Sequence, residues 1–301
     1  MPIHFALRTP AGADNSPGVE DEVFLQGREG PVIMLIHGLT GTPYEMSFVA
    51  RHLHRRGFTV NCPRLANHGA PLAVLKATRW DQCFESMRTA FRKLRERVGV
   101  DAPIFVGGLS AGALLALLLA DVLGPEIAGV ACLSPTLFYD GWNVPWTHRL
   151  LPLAYATPLR QFFYFKEEPP YGIKNEGVRR RIDASYGQAK LGDDGDFARN
   201  GYPYYPVTLF CEMRKLIRHC VDRLSAITTP VQIQQAVEDD ITSPRNSEFI
   251  YQRVASPTKE LVLIQNSYHV ITADQERERV AEHIATFCER VVAESAAREI
   301  A

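Results

Sequence analysis

The chain of 301 residues is long enough for one large or two ordinary domains, and its 46% hydrophobic and 22% charged residues exclude a disordered or low-complexity polymer. With 33 basic against 34 acidic residues the net charge is −1, so no overall field would hold the chain on nucleic acid or an anionic membrane. Six cysteines (Cys62, Cys83, Cys132, Cys211, Cys220 and Cys288) lie far apart without a CxxC pair, a usage that fits reduced thiols and a cytoplasmic setting.

Residues 1–18 contain no apolar run of the signal-peptide kind. Residues 32–36 (VIMLI) form a continuous apolar, β-prone run, the pattern of a parallel strand covered on both faces. After the loop 38–43, Met46, Val49, Ala50 and Leu53 recur at helical spacing, and Gly57 closes the helix expected over 44–56. A strand is expected at 59–62. Residues 78–98 place Trp80, Phe84, Met87, Phe91 and Leu94 on one face of an amphipathic helix that ends at Gly99. Strand 104–107, helix 110–123 and strand 127–134 continue the alternation. The most apolar stretch, 113–120, is far shorter than the ~20 residues a bilayer span needs, so it reads as a buried helix and no stable membrane insertion is expected.

Alternating strands and helices predict an α/β fold with a mainly parallel, doubly wound sheet. The alternation stops after Leu137 and resumes with strands at 230–237 and 261–265 and a helix over 275–292. The interruption, residues 139–226, is rich in aromatics and has a glycine- and aspartate-rich loop at 192–195; it reads as a cap inserted into a core of residues 1–138 and 227–301.

Gly108-Leu109-Ser110-Ala111-Gly112 fits G-x-S-x-G between a strand and a helix. The sharp turn of a nucleophile elbow needs small residues two before and two after the serine, and it sets the next N–H at a helix N-terminus, where negative charge is stabilised. Ser110 is therefore the candidate nucleophile and Ala111 a candidate oxyanion donor. His37-Gly38-Leu39-Thr40-Gly41 follows directly on strand 32–36, where the Leu39 N–H is placed to be the second donor. His37 itself reads as a buried prop, with a role as base the alternative. A serine needs a base and the base an orienting acid. His269 follows strand 261–265, and Glu238, Asp239 and Asp240 follow strand 230–237, giving the chain order serine, acid, histidine.

With HGLTGTP at 37–43, PRLANHG at 63–69, GLSAG at 108–112, EDDITSP at 238–244 and NSYHVITAD at 266–274, the chain resembles the bacterial α/β-hydrolases of the monoacylglycerol lipase and small carboxylesterase group. The resemblance spans about residues 32–292. It implies an α/β-hydrolase fold, Asp239 as the acid with Asp240 the alternative, and a cofactor-independent serine esterase acting on monoacylglycerols or other short- to medium-chain acyl esters. Two departures, Ala113 and Asn67 where the group often has glycine, bear on the local shape of the pocket; asparagine tolerates the left-handed backbone a glycine would adopt.

No H-e-x-x-H or other metal-ligand spacing appears, nor a phosphate-binding glycine loop, so neither a metal nor another cofactor is expected. The expected partner is a small-molecule ester with an apolar acyl chain, for which Trp142, Trp146, Phe162 and Phe163 are the candidate binding residues. The same triad also serves thioesterases, amidases, carbon–carbon bond hydrolases and acyltransferases, and the fold alone serves some non-catalytic binding proteins.

Overall fold

A computed structural model describes residues 3–5, 22–28, 30–146, 148, 155, 157–187, 189–191 and 201–300. In chain order the strands and helices are β1 (Ile3–Phe5), β2 (Glu22–Leu25), β3 (Val32–Ile36), α1 (Ser47–Arg55), β4 (Thr59–Pro63), α2 (Leu72–Lys76), α3 (Trp80–Val98), β5 (Ile104–Leu109), α4 (Ala111–Leu123) and β6 (Gly129–Leu133). There follow β7 (Phe163–Lys166), α5 (Glu176–Tyr186), β8 (Tyr204–Pro206), α6 (Val207–Arg223), β9 (Val231–Ala236), α7 (Arg245–Arg253), β10 (Lys259–Ile264) and α8 (Arg277–Ile300).

The main sheet has the order β10-β9-β6-β5-β3-β4-β2, parallel throughout except for the antiparallel edge strand β2. Strands β3, β4, β5, β6 and β9 are buried at every position, which accounts for the continuous apolar runs of β3, β5 and β6; β4 and β9 bury Asn61 and Gln232, Gln234 and Gln235 as well. Two separate apolar cores flank the sheet. One packs α3, α4 and α6 through Phe91, Leu114, Leu117 and Met213, and the other packs α1 and α8 through Leu53, Phe58, Ile284 and Phe287. Helix α4 is apolar all round because it lies inside the first of these layers. Among the described residues no helix is long and apolar enough to cross a membrane.

The expected strands and helices of the core are present, with boundaries moved by a few residues. Within residues 139–226 the chain forms more regular structure than the interrupted pattern indicates. Strands β1, β7 and β8 make a second, antiparallel sheet, so a segment near residue 4 pairs with one near residue 164. Helix α6 packs on α4 with Met213, Leu216 and Cys220 inside the first core, as an integral layer of that core. The loop at 192–195 lies outside the described residues.

Candidate active site

The carboxyl ends of β3, β5, β9 and β10 carry the groups picked out above, and the elbow explains its own composition. Ser110 adopts φ 57° and ψ −114°, with its N–H bound to Leu133 O (2.8 Å). A Cβ on Gly108 would lie 2.2 Å from the Gly112 carbonyl group, and one on Gly112 would lie 2.3 Å from Ile36 O. Only glycine leaves room for helix α4 to start this close to β3. The Ser110 hydroxyl shares a hydrogen bond with Thr136 Oγ1 (2.9 Å), a buried residue of the loop after β6 for which the sequence offered no signal. Ala111 opens α4, so its N–H has no acceptor within the helix.

His269 is buried in the loop after β10. Its Nδ1 lies 2.9 and 3.1 Å from the two carboxylate oxygens of Asp239. Four donors orient that carboxylate: the N–H groups of Ile241 (2.9 Å) and Thr242 (2.8 Å), the Thr242 hydroxyl (3.1 Å) and the Gln235 amide (2.7 Å). Asp240 instead accepts the backbone N–H of His269 (3.3 Å). Burial pushes the His269 imidazole down, but the charge and hydrogen bond of Asp239, with the charges of Asp240 and Glu45, more than offset this and leave its pKa above the ordinary value.

His37 is a prop in this structure. Its Nε2 accepts the Leu65 N–H (3.1 Å), so its Nδ1 carries the proton and donates to Gly38 O (2.9 Å). Burial, aided by His68 and Arg64, holds it well below the ordinary histidine range and therefore neutral. His68 Nε2 reaches Leu39 O (2.5 Å), and Asn67 beside it takes φ 61°, the left-handed turn expected of an asparagine in place of glycine. These contacts brace the loop that carries Leu39. So does Glu45, whose Oε2 accepts the Gly38 N–H (2.9 Å).

Ser110, His269 and Leu39 all border one cavity of about 710 Å³. Its apolar wall comes from Tyr139, Val144, Phe165, Tyr205 and Phe210, with the Phe210 ring 5.2 Å from Phe165 and 5.9 Å from Tyr139. The four aromatics expected to bind the acyl chain are not in that lining. Trp142 is 60% exposed and ties the acid loop to the histidine loop, its indole N–H donating to Glu238 O (3.0 Å) and its ring edge meeting Tyr268. Trp146 is 74% exposed and Phe162 41%. Phe163 packs against the small sheet's own cluster with Tyr155 and Val207. An aromatic-rich stretch announces apolar contact but not the face each ring takes, and here Phe165 and Phe210 face the cavity instead.

Fold and site geometry together define an α/β-hydrolase with a serine elbow, a histidine–aspartate pair and a covered cavity. The family described as serine aminopeptidase, S33, matches residues 28–276, and the chain belongs to it. Among similar proteins, a thermostable monoacylglycerol lipase of Bacillus sp. (strain H-257) is 28% identical over 86% of this chain and 90% of its own length. A carboxylesterase of Bacillus subtilis (strain 168) is 24% identical over 86% of this chain and 92% of its own length. A solved structure from work on LipS and LipT, two metagenome-derived lipolytic enzymes, superposes with a TM-score of 0.73 at 27% identity, covering 90% of this chain and 97% of the other. These relatives support both the expected group of α/β-hydrolases and the class of carboxylic ester hydrolase.

Proposed function

We propose that the protein hydrolyses carboxylic esters with apolar acyl chains, monoacylglycerols among them, through an acyl-enzyme on Ser110. The observation that carries this reading is the bidentate approach of Asp239 to His269 Nδ1 beside a strained serine elbow on the same cavity. With Nδ1 engaged, His269 Nε2 takes the Ser110 proton as Oγ attacks the ester carbonyl, and returns it to the departing alcohol oxygen. The N–H groups of Leu39 and Ala111 receive the oxyanion. Water, activated by the same histidine, then attacks the acyl carbon, releases the acid and restores the serine hydroxyl.

The apolar wall around Phe165 and Phe210 supports an acyl chain of several carbons, each buried methylene adding ~0.8 kcal/mol to binding. The six cysteines, all free and five of them buried, support a cytoplasmic setting. The test is labelling of Ser110 by a fluorophosphonate probe, followed by turnover of an ester series of increasing acyl length beside matched thioesters and amides. Labelling with ester turnover well above that of thioester and amide is the expected result. Faster thioester or amide cleavage reassigns the reaction, and no labelling removes the serine mechanism.

A further inference from the structure

Among the carboxyl groups that line the cavity, Glu45 and Glu167 take no direct part in acyl transfer. Glu45, on the turn before α1, engages the Gly38 N–H through Oε2. Glu167, directly after β7, is held by its backbone N–H to Pro203 O (2.9 Å), while its carboxyl has no hydrogen-bond partner among the described residues. Both residues are half-buried and border the cavity. Tyr171 and Tyr186 line the same wall, their rings edge to face with centroids 6.0 Å apart.

The ionisable groups that act on this pair are acids, phenols and the histidine. Glu167 feels Glu45 and Asp240, Glu45 feels His269, and Tyr186 feels both glutamates, with Glu168 reaching Tyr171. Among the described residues, no lysine or arginine is one of the charges acting on either glutamate. Of the arginines bordering the cavity, Arg51 and Arg181 are exposed, and Arg277 lies over the Phe48 ring (4.5 Å). Burial first, and mutual repulsion in the case of Glu167, push Glu45 up to about 7 and Glu167 to about 8, so near neutrality the pair retains protons that a cation would displace.

The position of this wall selects the part of the substrate it meets. Histidine protonates the leaving oxygen, so the alcohol departs on the histidine side, and Glu45 and Asp240 both act on the His269 ring. The acyl chain is accommodated by the apolar surface of Tyr139, Val144, Tyr205 and Phe210, with Phe165 where that surface meets Glu167. Half-buried carboxylates beside aromatic rings are surroundings that suit a substituted ammonium group.

We infer that Glu45, Glu167, Tyr171 and Tyr186 form a subsite for an ammonium-bearing alcohol, so that esters of tertiary or quaternary amino alcohols are substrates. This rests on the ester-hydrolase reading above. The test compares octanoylcholine with its uncharged isostere 3,3-dimethylbutyl octanoate, and with 1-mono-octanoylglycerol as an uncharged polyol ester. At pH 8.5 the wild type is expected to favour octanoylcholine over the isostere by at least about tenfold in kcat/KM, with the preference growing from pH 6 to 9 as the glutamates ionise. Glu167→Gln is expected to reduce that preference by about fivefold or more. Equal rates for choline ester and isostere, an unchanged preference in Glu167→Gln, or a preference for the glycerol ester that alone falls in the variant would overturn the inference. Calorimetric titration of the wild type with tetramethylammonium judges the subsite without turnover or variants: saturable binding that strengthens with pH supports it, and no binding overturns it. A chain that hydrolyses none of the esters yet binds tetramethylammonium loses the ester-hydrolase reading but keeps the subsite.

Discussion

Asp239 meets His269 Nδ1 with both carboxylate oxygens, at 2.9 and 3.1 Å, whereas its chain neighbour Asp240 touches the same residue only at the backbone N–H, at 3.3 Å. Adjacent acids thus do different work: one orients the ring and the other anchors its loop and adds charge. Asp239→Asn is expected to lower kcat by on the order of 10³–10⁴, because the amide cannot stabilise the imidazolium. Asp240→Asn is expected to cost less than about tenfold.

The same pair predicts a pH effect with a definite sign. In the proposed mechanism the base works as neutral imidazole, so kcat/KM is expected to rise with pH through a His269 pKa that lies above its ordinary value of 6.5. Asp240 is one of the charges that raise it, so Asp240→Asn moves the acidic limb of the profile to lower pH. A limb that stays in place or moves upward contradicts this assignment.

Ser110→Ala keeps the elbow's backbone and removes the proposed attacking hydroxyl together with its hydrogen bond to Thr136. Ester turnover is expected to fall by on the order of 10³ or more, with fluorophosphonate labelling abolished and the circular dichroism spectrum unchanged. Retention of a tenth of the activity would remove Ser110 from the mechanism.

Gly112→Ala tests the packing that creates the elbow. Its Cβ would lie 2.3 Å from Ile36 O, a backbone atom of a buried strand that cannot move aside alone. A loss of about 3 kcal/mol or more is expected, read as a lowered midpoint in denaturant titration.

Glu167 predicts how stability varies with pH. Folding raises its carboxyl from the ordinary 4.5 to about 8, burial being the main cause, so between these values the folded chain holds a proton that the unfolded chain releases. This contribution is complete below about pH 4.5 and is lost as pH rises through 8. Glu167→Gln, which stays neutral, is expected to match the wild type near pH 4.5 and to melt higher at pH 9, by about 1–2 kcal/mol or a few degrees. A difference independent of pH would show that the carboxyl does not titrate in this way.

Phe210 and Trp146 separate acyl contact from surface decoration. Phe210 lines the cavity and Trp146 is three-quarters exposed, so Phe210→Ala is expected to lower kcat/KM about tenfold more for decanoyl than for butyryl esters. Trp146→Ala is expected to leave that ratio within about twofold. Equal losses at both lengths in Phe210→Ala would make the ring a structural prop.

The order of the parallel elements was legible in the sequence because its signals are local. The runs at 32–36 and 104–109 are apolar at every position since both faces of each strand are covered, and the two glycines flanking Leu109-Ser110-Ala111 are imposed by a turn only five residues long. The chain order of Ser110, the acid loop and His269 follows from which strand each one ends. Tertiary structure alone decided whatever depends on groups distant in the chain. The pairing of β1 with β7 joins segments some 160 residues apart, and no periodicity in either announces the other. Asp239 was already the acid that the resemblance implies; the structure adds the physical reason, the backbone path of a tight loop in which Ile241 and Thr242 direct their N–H groups to that carboxylate. Packing made Phe165 and Phe210 face the cavity while Trp142 and Trp146 face outward, and brought Glu45 and Glu167 to border that same cavity. Side-chain type sets what a residue can do chemically, but its surroundings are assembled by packing between distant segments, and that information is spread over the whole chain.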